Sequence, residues 1–74
     1  MVVLTFMPTP GARVRRKHQH YNVWEYGRVL PYGWIDEVTG EWRHGTLFPV
    51  RWEPYGFVSL ETTSSVSEVD EPAS

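Results

Sequence analysis

Apolar and polar residues alternate with a period of two along the middle of this chain, most cleanly between Thr46 and Trp52. There Phe48, Val50 and Trp52 fall on one side of an extended segment, with Pro49 and Arg51 on the other. The pattern predicts a half-buried strand. Pro49 has no N–H to give a ladder, so the strand is expected at a sheet edge or a bulge. In Ala12-Arg13-Val14-Arg15-Arg16-Lys17, Val14 faces inward and Arg13 and Arg15 outward. Gly27-Arg28-Val29-Leu30 begins another strand, which Tyr32-Gly33-Trp34-Ile35 continues beyond a kink at Pro31. Phe57-Val58-Ser59-Leu60 is the last clear one. Asp36-Glu37-Val38-Thr39-Gly40 reads as a hairpin turn with Gly40 at positive φ, and Glu41-Trp42-Arg43-His44 opens its return strand. Glu53-Pro54-Tyr55-Gly56 is a second tight turn.

No segment keeps a helical period over eleven residues, and glycines at 27, 33, 40, 45 and 56 recur too often for helix interiors. Short strands separated by turns at roughly 8–12-residue spacing indicate a sandwich or a barrel. With about 60 ordered residues, the expectation is an all-β fold, a small five- to six-stranded barrel. Its core is expected from Val14, Val29, Phe48, Val50, Trp52 and Val58.

Both ends differ from this body. Pro8-Thr9-Pro10-Gly11 sets residues 1–10 apart as an N-terminal strand or arm. Residues 11–61 form the barrel domain. Residues 62–74 form an acidic, Ser/Thr-rich tail without aromatics, which cannot bury enough surface to offset the entropy of ordering. Val66 and Val69 suffice for one last short strand or turn, and disorder is expected from about Asp70.

Composition narrows the function. A chain of 74 residues allows one small domain and no large cleft under a lid. The absence of cysteine excludes a disulfide scaffold, a cysteine zinc site and a thiol nucleophile, and it fits a reducing, cytoplasmic setting. No apolar run approaches a membrane span, and residues 1–7 are too short for a signal-peptide core. All seven basic residues lie in 1–58 against five acids, whereas 59–74 hold four acids and no base. The net −2 is thus a body at +2 and a tail at −4.

The concentrated charge feature is Arg13-Val14-Arg15-Arg16-Lys17-His18-Gln19-His20. On a strand, Arg13, Arg15 and Lys17 project together and suit phosphates spaced along a backbone. Neighbouring Tyr21, Trp24 and Tyr26 are placed to stack bases, at about 1–3 kcal/mol each in single-strand binders. Arg13, Arg15, Arg16, Lys17, Tyr21, Trp24 and Tyr26 are therefore the candidate nucleic-acid contacts. A charged edge strand that only resists aggregation would look the same. The tail, folded back over the basic strand, would compete with phosphate.

Eleven aromatic side chains exceed what a small core needs. Tyr21, Trp24, Tyr26, Tyr32, Trp34, Trp42 and Tyr55 are surplus, and exposed aromatic clusters mark contact surfaces. Trp24, Trp34, Trp42 and Tyr55 are the candidate anchors for a protein partner; capping the barrel ends is the structural alternative. A third use is self-assembly, with residues 1–7 pairing with a neighbour's strand edge. His18, His20 and His44 offer imidazoles for a metal, but no motif places a carboxylate to orient them, and no metal or other cofactor is expected. Asp36, Glu37 and Glu41 flank an exposed turn where acid–base chemistry is disfavoured. With no phosphate-binding glycine loop, ordered triad or metalloprotease motif, the chain reads as non-enzymatic.

Gly11-Ala12-Arg13-Val14, Gly27-Arg28-Val29, Pro49-Val50-Arg51-Trp52-Glu53 and Gly56-Phe57-Val58-Ser59-Leu60 follow an order that resembles the Src-homology-3-like small barrels of the Tudor and KOW type. The likeness spans about residues 11–61 and consists of strand and turn residues. It implies a barrel that binds nucleic acid, modified peptides or proteins through its loops and one open face, without catalysis. Tudor barrels that read methylated side chains use an aromatic cage, for which the resemblance offers Trp24, Tyr26, Trp34 or Trp42, with no motif to fix which. Leu30-Pro31-Tyr32-Gly33-Trp34 and Trp52-Glu53-Pro54 resemble the two ends of a WW domain. There the tryptophans stand too close, the paired central aromatics are missing, and the last proline comes one position early. The expected function is a binding or regulatory module for nucleic acid or a nucleic-acid-handling complex. The alternative is a protein–protein adaptor; in either case the chain's economy suits an accessory protein of the bacterial or phage kind.

Overall fold

The computed structural model describes residues 2–3 (backbone only), 7–18 and 20–69. Eight strands and no helix are present among them: β1 (Val2–Val3), β2 (Arg13–Lys17), β3 (Trp24–Val29), β4 (Trp34–Ile35), β5 (Trp42–Arg43), β6 (Phe48–Trp52), β7 (Val58–Glu61) and β8 (Ser67–Glu68). Six form an antiparallel sheet in the order β1-β8-β2-β3-β6-β7, and β4 and β5 make a separate hairpin. From β7 the chain passes through a turn at residues 63–65 to β8, which pairs back onto β2.

Five of the six expected core residues are buried: Val14, Val29, Phe48, Val50 and Trp52. Val58 is the exception, at 51% exposed. The register sets Val50 opposite Ser59 and Phe48 opposite Glu61, so the inward positions of β7 are polar and Val58 and Leu60 face out. The sixth core position is Val66, 4% exposed, from the segment read as tail. Met7, Ala12 and Tyr32 pack against this cluster.

The polar inward positions answer a specific need. Buried Trp52 carries an indole N–H that must find an acceptor. It donates to Ser59 Oγ at 2.8 Å, and that hydroxyl donates to Glu61 Oε2 at 2.6 Å. Ser65 Oγ donates to Glu61 Oε1 at 3.0 Å. From β2, Arg16 Nη1 reaches Glu61 Oε2 at 2.9 Å and its Nε reaches Glu25 Oε1 at 3.2 Å. The same guanidinium lies 4.2 Å from the centre of the Trp52 ring. One network thus joins β2, β3, β6, β7 and the turn before β8.

Pro49 is not on an edge, because β6 lies between β3 and β7. Its carbonyl accepts from Leu30 N at 2.9 Å, where β3 has just ended before Pro31, so its missing N–H falls where the ladder stops. Residues 34–35 do not continue β3 but turn back on β5. Gly27 is where β3 crosses the core. A Cβ there would stand 2.7 Å from the Arg51 carbonyl and from Val50 Cγ1, so only glycine fits. The hairpin turn is as expected: Asp36 Oδ1 accepts from Val38 N and Thr39 N at 2.8 and 3.0 Å, and Gly40 has φ +72°. The turn after β6 closes with Gly56 N on Trp52 O at 2.8 Å.

The domain boundary drawn after residue 61 does not hold for residues 62–69, because Ser65, Val66 and β8 belong to the fold; residues 70–74 lie outside the described residues. In the arm, Val2–Val3 pairs with β8, while Met1 and residues 4–6 lie outside them too. Ending the chain at Glu61 should lower urea-unfolding stability by more than about 3 kcal/mol, by loss of Val66 and β8. Ending it at Val69 should change stability by less than about 0.5 kcal/mol. Equal midpoints for the two truncations would contradict this assignment.

Candidate nucleic-acid interface

The register of β2 with β3 sets Arg13 opposite Arg28, Arg15 opposite Tyr26, and Lys17 opposite Trp24. Cross-strand partners share a face. Val14, Gly27 and Val29 point into the core, so these six side chains stand on the outer face. There the cations lie on the rings. The Arg15 guanidinium is 4.0 Å and Lys17 Nζ 5.0 Å from the centre of Trp24, and the Arg13 guanidinium is 4.8 Å from Tyr26. Such contacts contribute about 0.5–1 kcal/mol each when exposed. The Nε atoms of Arg13 and Arg15 are buried without a hydrogen-bond partner beside these rings.

Arg28 in turn faces Arg51 of β6. Arg13, Arg28 and Arg51 therefore form one row across three strands, which stand about 4.8 Å apart. Like charges directly opposite one another destabilise a sheet. The row is partly offset: Glu53 Oε2 lies 3.8 Å from Arg13 Nη2, and Arg28 Nη1 donates to the Gly11 carbonyl at 3.1 Å. Five of the seven basic residues share this face: Arg13, Arg15, Lys17, Arg28 and Arg51. The sixth, Arg43, pairs with Asp36 and Glu41 at 3.5 and 3.3 Å in the small hairpin.

Arg16 is the seventh. It stands with its neighbours in sequence, but the alternation of β2 turns it inward to Glu25 and Glu61. It holds the fold and is not displayed with Arg13, Arg15 and Lys17. Tyr21 is 74% exposed in the β2–β3 connection, with its ring 4.7 Å from His18 and 6.4 Å from His20.

The aromatics read as protein anchors divide. Trp34 is 60% exposed on β4, beside exposed Ile35, and Tyr55 is 89% exposed on the turn after β6. Trp42 is half-buried: its Nε1 donates to the Tyr32 carbonyl at 3.1 Å, and its ring packs on Tyr32 and His44. Tyr32 in turn packs on Phe48 and donates its hydroxyl to the Pro8 carbonyl. Burial raises the Tyr32 pKa. Tyr32 and Trp42 thus close one end of the core.

Trp24 and Tyr26 also line an open cleft of about 610 Å³ together with Glu53, Pro54, Tyr55 and Phe57. Backbone pairing brings the turn there: Gly27 faces Trp52, and Glu53 N donates to the Tyr26 carbonyl at 2.8 Å. Sequence reading missed Arg28, Arg51, Glu53 and Phe57 as site residues. Arg28 and Arg51 are legible as outward positions between apolar neighbours, but their alignment with Arg13 is a matter of register.

His44 packs on Trp42, away from His18 and His20, and no group of three potential metal ligands stands together among the described residues. Nor do the described residues include a helix long and apolar enough to cross a membrane. Comparisons with protein families, characterised proteins and solved structures find no match to this chain.

The acids beside the hairpin have a structural use. Hydrogen bonds from the Thr39 and Val38 amides, with Arg43 nearby, lower the Asp36 pKa below its ordinary value. A depressed carboxylate stabilises the fold above its unfolded pKa, and that contribution is lost as pH falls through the folded value. The Val38 and Thr39 amide resonances should therefore shift together at a midpoint below about pH 3.9, and Asp36→Ala should abolish the transition. A midpoint at or above that value would contradict the capping role.

Proposed function

We propose that this chain is a small non-catalytic β-domain of the Src-homology-3-like type that binds nucleic acid through the outer face of β2, β3 and β6. The barrel reading is supported by the return of the chain from β7, through a turn, to a last strand paired with β2. The observation that carries the binding reading is the alignment of Arg13, Arg28 and Arg51 beside Arg15 and Lys17 stacked on Trp24. Solubility alone is served as well by interspersed charges of both signs, which avoid like charges directly opposite one another. A polyanion laid across such a row meets several cations at the spacing of the strands and releases its counterions. Trp24, 39% exposed, supplies a stacking surface within the same patch.

The second reading is a protein adaptor. It is favoured by Trp34 and Ile35, both about 60% exposed on a hairpin apart from the main sheet. The two readings separate by salt. Phosphate contacts release counterions and weaken steeply as salt rises, whereas aromatic anchoring weakens little.

Fluorescence anisotropy against labelled single-stranded DNA, duplex DNA and RNA should show micromolar binding that falls at least tenfold between about 50 and 200 mM salt. Arg15→Ala/Lys17→Ala should weaken it by about tenfold and flatten the salt slope. Absence of binding to all three, or binding indifferent to salt and to these substitutions, would overturn the proposal.

A further inference from the structure

The cleft beside the basic face has a chemistry of its own. Its walls are aromatic and apolar, from Trp24, Tyr26, Tyr55 and Phe57, and its volume suits one small planar ligand with its attached sugar. Its charged lining is acidic although the neighbouring face is basic. Glu25 lines it too, but its Oε1 is taken by Arg16. Glu53 is the more open of the two, its side chain 56% exposed against 18% for Glu25; its backbone amide is fixed to the Tyr26 carbonyl, and its Oε2 lies 3.8 Å from Arg13 Nη2, a looser pairing than that of Glu25. A carboxylate offers acceptors only. His18, at another part of the lining, packs on Tyr21, and its Nδ1 accepts from the His20 amide.

We propose that this cleft takes one unpaired nucleobase of a bound single strand and prefers a base with an exocyclic amino group, cytosine above thymine or uracil. This rests on the nucleic-acid reading and deepens it. Charge sets the direction of the strand's parts: phosphates lie on Arg13, Arg15 and Lys17, and the base turns away from them between the rings. The Glu53 carboxylate then accepts from the amino group of cytosine. Thymine and uracil present a carbonyl oxygen at the same ring position, which meets the carboxylate acceptor to acceptor. Stacking on Trp24 and Tyr55 is indifferent to base identity and supplies affinity. Glu53 supplies the choice.

The test compares labelled oligo(dC) and oligo(dT) of about 12 nucleotides by anisotropy at neutral pH and low salt. Oligo(dC) should bind at least about fivefold more tightly. Glu53→Gln should bring the two within about twofold of each other, because an amide donates as well as accepts. Tyr55→Ala, at an exposed position where the fold is not at risk, should weaken both strands by about fivefold or more and leave their ratio unchanged. Equal binding of the two strands by the unaltered chain overturns this inference and leaves the nucleic-acid reading standing. A preference that survives Glu53→Gln overturns the assignment to this cleft. Failure of both strands to bind overturns the inference, and it overturns the reading beneath it only if duplex DNA and RNA also fail to bind.

Discussion

Arg16 lies over the ring of Trp52 with Glu61 at 2.9 Å and Glu25 at 3.2 Å, and much of the fold is arranged around that position. The core is small: four valines, Phe48 and Trp52. Trp52 is its largest side chain and brings a buried N–H that needs an acceptor. Ser59 takes that hydrogen bond, and Glu61, 8% exposed, anchors Ser59. A carboxylate so buried needs a cation and further donors, because an unpaired one costs several kcal/mol. Arg16 and Ser65 provide them. Ser65 also sets the turn that returns the chain to β2 and delivers Val66 to the core. Hydrophobic burial and polar satisfaction are therefore not separate layers here.

The same arrangement sorts the charges. On β2 the inward register belongs to Val14 and Arg16, which leaves Arg13, Arg15 and Lys17 on the other face. On β3 the inward positions are Glu25, Gly27 and Val29, so Trp24, Tyr26 and Arg28 join them outside. On β6 the buried Val50 and Trp52 turn Arg51 the same way. A face rich in arginine and aromatic rings is the complement of a core that spends one arginine and two glutamates internally. Trp24, Tyr26 and Glu53 hold the cations of this face in place.

Much of this was legible in the sequence where a local rule was sufficient. Strict alternation identified the face of β6, and the Asp36 and Gly40 signals identified the hairpin. The projection of Arg13, Arg15 and Lys17 together followed from the period of a strand. What escaped depended on partners distant in the chain. Val58 looked like core because it is apolar, yet Ser59 and Glu61 take the inward positions to serve Trp52 and Arg16. Val66 looked like tail because its neighbours are polar, yet Ser65 is tied to Glu61. Arg16 looked like its basic neighbours, and only the placement of Glu25 and Glu61 separates it from them. The row of Arg13, Arg28 and Arg51 is invisible until three strands are in register.

The measurement that bears most directly on this account is a double-mutant cycle on the central pair, using Arg16→Met, Glu61→Gln and the two combined, followed by urea unfolding. If the network governs the fold, each single change lowers stability, and the combined change costs less than their sum by at least about 1 kcal/mol. Strictly additive effects would mean that Arg16 and Glu61 act independently. The burial of Trp52, the polar face of β7 and the sorting of the cations would then need another cause.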